Sequence, residues 1–282
     1  MKYAVTVITP PNYIHSAAFA EVAQTITYGL RRLGHDVVLT TDGSIPGRKL
    51  IVLGSNLLSA YPQPLADDAI LYNLEQVEAG SSWFKPELLE LFRRYTVWDY
   101  SQRNVEALRG MGVSVAHVLP IGYTPELTRI VRAEYPDIDV LFFGSPNPRR
   151  EQVLRGLRSA GLMVQAPIGV YGRTRDALIA RARVVLNVHY YEAGILELVR
   201  ISYLLANRCT VLSEHGADAL EDAALEGGVA FADYGDLVDR ARELIRSSEE
   251  CEQIAERGHA LMAARPITEY LKALVPVGEY AA

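Results

Sequence analysis

The run DIDVLFFGSPNPRR, residues 137–150, decides the fold. Ile138 to Phe143 reads as a short strand, Gly144 to Asn147 as a turn, and Arg149 opens a helix that continues to Ala160. Strand, turn and helix in that order form the repeating unit of a parallel sheet wound by right-handed crossovers. Downstream, strands at Met163 to Ala166, Val184 to Val188 and Cys209 to Ser213 alternate with helices at Thr174 to Ala182 and Leu196 to Ala206. From Asp236 onward the chain is largely helical. Upstream the same rhythm holds. Val5 to Thr9 is a β-branched strand ended by Pro10 and Pro11. Ala18, Val22, Ile26, Leu30 and Leu33 then recur at helical spacing, with Gly34 as a stop.

Further strands fall at His35 to Thr40, Leu50 to Gly54, Ala69 to Asn73, Tyr95 to Trp98 and Val115 to Leu119. Pro86 to Arg94 and Ser101 to Met111 are the intervening helices, the second capped by Ser101. Two prolines and a glycine in Pro120 to Pro125 interrupt the alternation and mark a domain boundary. The expected fold class is α/β: two Rossmann-like doubly wound domains, 1–122 and 123–282, facing each other across a cleft. A length of 282 residues suits two domains.

Composition excludes several classes. The chain is 49% hydrophobic and 22% charged, with 28 basic against 34 acidic residues and a net charge of −6. It has no low-complexity tract and no basic stripe of the kind that displaces counterions from duplex nucleic acid, so a nucleic-acid partner is disfavoured. The two cysteines, Cys209 and Cys251, match no metal-ligand spacing, and a reducing cytoplasm is the expected location. Met1 to Pro10 reads as a strand rather than a signal peptide. No apolar stretch approaches the roughly 20 residues of a membrane span.

In open α/β sheets ligands bind beyond the carboxyl ends of the strands, so the loops there carry the functional expectation. Gly144, Ser145, Asn147, Arg149 and Arg150 combine a flexible turn, a helix start and two guanidinium groups, the ingredients of a phosphate site. Tyr171 and Gly172 offer an aromatic face beside mobile backbone on which a nucleobase can stack. His189, Tyr190, Tyr191 and Glu192 follow an apolar strand, and Gly194 leads into a helix bearing Glu197. Gly194 would let a diphosphate approach that helix, while Glu197 would accept from ribose hydroxyls or pair with Arg200. In the first domain, His15 is a candidate general base, since an unperturbed imidazole titrates at about 6.5. Glu75, after the fourth strand, is the second candidate catalytic residue. No G-x-G-x-x-G follows the first strand, which argues against a Rossmann oxidoreductase.

Two successive α/β domains with donor-type loops in the second resemble the GT-B nucleotide-sugar glycosyltransferases. NLEQ (Asn73 to Gln76), VWDYS (Val97 to Ser101), LPIGY (Leu119 to Tyr123), the 137–150 run and LNVHYYE (Leu186 to Glu192) are similar to segments of a bacterial and viral glycosyltransferase-like group. They also resemble the glycosyltransferase part of spore-maturation-type proteins. The resemblance implies hexosyl transfer from a nucleoside diphosphate sugar to a carbohydrate or other small acceptor. No cofactor beyond the donor and no metal are implied. It further implies that Gly144 to Arg150 holds the diphosphate, His189 to Gly194 the diphosphate and sugar, and Glu197 the ribose. Retaining members carry two glutamates eight positions apart, and here Ile195 and Tyr203 stand in that register. Asp137 and Asp139 spell a DxD, but at the start of a strand, the end opposite a binding crevice. The competing reading is a catalytically silent nucleotide-sugar or glycan-binding protein.

Overall fold

The computed structural model describes residues 1–78, 81, 83–191 and 194–276. Its contacts divide the chain into two units. The first comprises Met1–Thr124 and the described residues from Pro266 onward, and the second Pro125–Arg265. The change at Thr124 lies inside the expected boundary segment. The return of the chain to the first unit differs from the expected 123–282 domain, and its cause is steric. The Cα of Gly29 lies so close to the last helix that an added Cβ would stand 2.7 Å from Ile267 Cγ2 and 2.8 Å from Leu271 Cδ1. Two helices meet at a glycine over a pair of apolar side chains, a contact that continuity of sequence does not announce.

The first unit holds six parallel strands, β1 (Lys2–Val7), β2 (Asp36–Thr40), β3 (Lys49–Leu53), β4 (Ile70–Asn73), β5 (Thr96–Asp99) and β6 (His117–Val118). Their spatial order is β2-β1-β3-β4-β5-β6. Helices α1 (Ala20–Arg32), α2 (Pro86–Arg94) and α3 (Gln102–Gly110) connect them. Leu50 to Leu53 of β3 are wholly buried, as a strand covered on both faces requires. Leu50, Val52, Leu71, Val97, Leu88 and Phe92 share one core cluster, so α2 seals one face of the sheet. Each such side chain contributes about 1.5–3 kcal/mol by leaving water. Ser101 does precede α3, but its side chain makes no cap; its backbone N–H donates to Asp99 Oδ1 at 2.8 Å instead.

The second unit holds five parallel strands, β7 (Ile138–Leu141), β8 (Val164–Gln165), β9 (Ala182–Asn187), β10 (Val211–Glu214) and β11 (Ala230–Ala232). They run in the order β11-β10-β9-β7-β8. Helices α4 (Pro148–Ser159), α5 (Gly172–Arg181), α6 (Leu198–Ala206), α7 (Ala219–Ala223), α8 (Leu237–Arg246) and α9 (Ser248–Ala263) complete it. The final helix, α10 (Ile267–Lys272), is the one that packs on α1. Strand β11 and helix α7 were not expected from the sequence. Both are short, and the three residues of β11 are too few to show a period.

Each sheet places its first strand between its second and third, so the winding reverses between β1 and β3 and again between β7 and β9. At such a switch point the two adjoining loops leave toward opposite faces and open a crevice at the carboxyl edge. No described helix is long and apolar enough to cross a membrane.

Candidate functional site

In the second unit the switch point falls between Gly144, just past β7, and His189, just past β9. Asn147 caps α4: its Oδ1 accepts from Arg150 N at 2.8 Å, and its Nδ2 donates to Tyr190 O at 2.9 Å. One side chain thus joins the two loops. Arg150 joins them again. It is buried, and its Nε and Nη2 donate to Val188 O at 2.9 and 2.7 Å while Nη1 donates to Ser145 O at 2.9 Å. The guanidinium also lies over the rings of Phe142 and Tyr190, with centroids 5.2 and 5.1 Å away. Burial, reinforced by the neighbouring Arg200, brings its pKa down to about 10.

Arg149 turns to β10. It forms a two-pronged pair with Glu214 and stacks on Tyr234 at 4.0 Å. His189 N also donates to Glu214 Oε2, at 3.2 Å. The His189 ring is buried between two acceptors, Glu197 Oε2 and His215 O, each 3.0 Å from a ring nitrogen. A neutral imidazole donates through one nitrogen only, so the cation is the form that satisfies both contacts. Burial opposes that charge, the Glu197 carboxylate outweighs it, and the net displacement of the His189 pKa is upward.

Glu197 precedes α6 as its N-cap residue. Burial favours its neutral form, but His189, Arg200 and Asn187 hold its pKa below the usual carboxylate range. Oε2 accepts from Asn187 Nδ2 at 2.8 Å, and Arg150 Nη2 approaches Oε1 at 3.5 Å. Asn187 in turn accepts from Arg200 Nη1 at 2.8 Å through Oδ1.

Gly144 makes the junction possible. Its φ is +155°, and a Cβ there would stand 2.9 Å from Arg200 Nη2 and 3.4 Å from Arg150 Nη1. Two guanidinium groups therefore flank a turn without a side chain. Among the described residues, four cationic groups, Arg149, Arg150, Arg200 and His189, stand about two carboxylates, Glu214 and Glu197; Arg200 reaches Glu197 electrostatically and through Asn187. The arrangement is suited to an anion of about two charges.

The remaining sequence-predicted residues take these places. Ser145 is exposed at the turn and contributes its carbonyl to Arg150. Tyr171 and Gly172 start α5, and the Tyr171 hydroxyl bears electrostatically on Arg200. Tyr190 and Tyr191 meet edge to face at 4.8 Å, with Tyr190 39% exposed. Gly194 adopts φ +60° and its carbonyl accepts from Ala217 N at 2.8 Å. Glu192 lies outside the described residues. Tyr203, in the register of the family's second glutamate, is buried; its hydroxyl accepts from Arg129 Nε at 3.0 Å and donates to Asp176 at 2.9 Å. Asp137 and Asp139 stand at the opposite edge. Asp137 pairs with Arg181, and Asp139 accepts from Met163 N at 2.9 Å.

In the first unit, Glu75 follows β4. Its Oε1 accepts from Asn56 Nδ2 at 3.1 Å, and no donor among the described residues reaches Oε2. Burial pushes the carboxyl up to about 7. Burial and this carboxylate together raise the Tyr13 hydroxyl, whose ring meets His15 edge on at 5.3 Å. His15 lies in a short 3₁₀ helix at Ile14–Phe19, half-buried. Whereas Asp99 lies in the quoted VWDYS segment, Asn56, Glu214 and Tyr234 take part in these networks without having been singled out from the sequence. Glu214 alone carried a signal, a carboxylate directly after an apolar strand; the expected strand had been ended one residue early, at Ser213.

No family model matches the chain. It is similar to two uncharacterized proteins of Acanthamoeba polyphaga mimivirus. One, L138, is 29% identical over 137 residues, 46% of this chain and 16% of that protein. The other, L140, is 26% identical over 207 residues, 68% of this chain and 64% of that protein. The chain thus spans less than two thirds of either relative. Among solved structures, T4 phage β-glucosyltransferase in complex with its UDP-glucose substrate superposes with a TM-score of 0.55 at 12% identity. Anabaena Alr3699/HepE in complex with UDP gives 0.56 at 12% identity. AviGT4, a glycosyltransferase involved in avilamycin A biosynthesis, gives 0.52 at 17% identity. In all three, 97% of this chain and 98% of the other are covered. At these identities the likeness is one of fold, and the fold is the GT-B type with two Rossmann-like units.

Proposed function

We propose that the protein is a glycosyltransferase that takes a nucleoside diphosphate sugar in its second unit and an acceptor hydroxyl in its first. One observation carries the reading: among the described residues, four cationic groups stand about two carboxylates around the side-chain-free turn at Gly144. The surplus of positive charge matches a diphosphate, and the helix start at Asn147 adds the partial charge of its N–H groups. Similar structures bound to UDP-glucose or UDP support a uridine nucleotide as the first donor to try. The leaving diphosphate gains its charge stabilisation from guanidinium and imidazolium groups, which is why we propose transfer without a metal.

The roles differ within the site. Arg150, Glu197 and His189 have their polar atoms engaged by protein partners and act as the frame. Arg200 and the Asn147–Arg149 helix start face the turn and act on the diphosphate. Tyr190, exposed and backed by the Arg150 guanidinium, offers a ring for the base or sugar. Glu75, with one oxygen held by Asn56 and a pKa displaced to about 7, is suited to take the acceptor proton near neutrality. His15 is the alternative base. The acceptor we propose is a neutral carbohydrate or other small hydroxylic molecule, and the placement beside spore-maturation-type enzymes rests on the motifs quoted above.

The test is release of UDP from UDP-glucose, with UDP-galactose and UDP-N-acetylglucosamine as further donors, with and without mixed oligosaccharide acceptors. Turnover that Glu75→Gln abolishes and His15→Ala does not supports the assignment. Tight binding of the same donors with no turnover supports a silent binding protein instead.

A further inference from the structure

At the carboxyl end of β5, Asp99 is completely buried. Asn73 Nδ2 donates to its Oδ2 at 2.7 Å, and Asn104 Nδ2 and Ser101 N donate to its Oδ1 at 3.0 and 2.8 Å. Among the described residues these donors are neutral amides and backbone N–H groups, with no cation. A buried carboxylate without a cation costs stability unless its bonds do something a neutral residue would not.

What they do is orient the two amides. Each Nδ2 also reaches Glu75 O at 3.0 Å. The amide oxygens then face the other way, Asn73 Oδ1 accepting from Glu75 N at 3.2 Å and Asn104 Oδ1 from Val77 N at 3.0 Å. An asparagine side chain can turn over and exchange its oxygen for its NH2. Beside an acceptor-only carboxylate only one of the two orientations is satisfied. Burial pushes the Asp99 carboxyl up to about 7 against these donors; in its ionised form it fixes both amides, and both amides fix the backbone on either side of Glu75.

We propose that Asp99 is a positioning residue for Glu75, acting through Asn73 and Asn104 on the loop that carries the Glu75 carboxyl. The inference rests on the reading of Glu75 as the acid–base group. Neutralising the hub removes the preference for one amide orientation, and the loop then loses its hold on the carboxyl. The other titratable groups facing the pair are Tyr72, whose hydroxyl donates to Leu119 O at 2.6 Å, and Tyr13 beside Glu75.

Carbon-13 NMR titration of the side-chain carboxyls tests this directly, with the Glu75 signal identified by its loss in Glu75→Gln. Wild type, Asp99→Asn and Asn104→Ala are compared, and circular dichroism reports that each is folded. Asn104→Ala keeps the Asp99 carboxyl in place, and the Asp99 signal followed in the same titration separates a change in its own ionisation from a loss of positioning. Asn104→Ala also carries the test alone if Asp99→Asn does not fold. The wild-type midpoint is expected at about 7. Both variants are expected to lower it by at least about one unit, toward the ordinary glutamate value of about 4.3, as the released carboxyl gains water. An unchanged midpoint in folded variants overturns the proposal and leaves Glu75 as the acid–base group. A wild-type midpoint already near 4.3 removes the Glu75 reading and, with it, the inference.

Discussion

His189 stands 3.0 Å from the Glu197 carboxylate and 3.0 Å from the His215 carbonyl, one acceptor on each ring nitrogen. The imidazolium these acceptors favour ties the loop after β9 to the loop after β10.

Because its folded pKa is raised, His189 contributes stability that is fully present below the unfolded value of about 6.5. That contribution is lost as pH rises through the folded value. The gap in melting temperature between wild type and His189→Gln should therefore be widest at or below about pH 6.5 and narrow above it. Removing one member of a buried pair costs on the order of 3 kcal/mol. Melting curves of both proteins across pH 5.5–9 check it, and a gap that widens with pH would show a neutral ring.

Gly144→Ala places a methyl group 2.9 Å from Arg200 Nη2 in a backbone conformation that alanine rarely adopts. The backbone strain is worth about 1–3 kcal/mol of stability. Arg200 must also move, so UDP affinity should fall by at least about tenfold, equivalent to about 1.4 kcal/mol. Calorimetric titration alongside a melting curve measures both.

Glu75 is buried with its pKa pushed up to about 7, so its ionisation on raising the pH destabilises the folded chain. The native state holds the proton longer than the unfolded state, and stability declines between about pH 4.3 and 7. Glu75→Gln should thus melt higher than wild type at pH 8, by about 1–3 kcal/mol, and similarly near pH 4. The same variant should lower transfer by about 10²–10⁴-fold and lose the rise in rate through pH 7. Gain of stability with loss of rate distinguishes a strained functional carboxyl from a supporting one.

Glu197→Gln tests the frame. Its oxygens receive Asn187, His189 and Arg150, so the amide replaces an acceptor with a donor facing other donors. A cost of about 1.5–3 kcal/mol is expected for a charge-assisted bond in this setting. UDP affinity should fall less than in Arg200→Gln, because in the proposed site Glu197 supports the cations while Arg200 is placed to meet the ligand. The reverse ranking would return Glu197 to direct contact with the ribose.

Periodicity made the fold legible. Val5 to Ile8 and Val184 to Val188 are mostly apolar and wholly or largely buried because both faces of each sheet are covered, and glycine and proline turns separate the elements. The three residues of β11 are too few to carry that signal, whereas β6 and β8 lie inside longer runs that were read as strands. The second-unit loops were singled out because polar groups directly follow apolar strands there, and the structure joins Asn147, Arg150, His189 and Glu197 of these loops in one network. Which arginine faces the turn was not legible. Arg150 lies nearer to Gly144 in sequence than Arg200 does, yet burial and three bonds to two backbone carbonyls commit it to the frame. The Asp99 hub was hidden because its partners, Asn73 and Asn104, lie 26 and 5 residues away and meet only when β4 and β5 pair.

Calorimetric titration of UDP, GDP and ADP, each beside its own nucleoside, into wild type and Arg200→Gln tests the central claim most directly. At least one diphosphate should bind, with its nucleoside at least about 100-fold weaker and the preference much reduced in Arg200→Gln, a difference of about 2.7 kcal/mol. Equal affinity for nucleoside and diphosphate, or no binding of any diphosphate to the folded protein, would contradict a diphosphate site at the Gly144 turn.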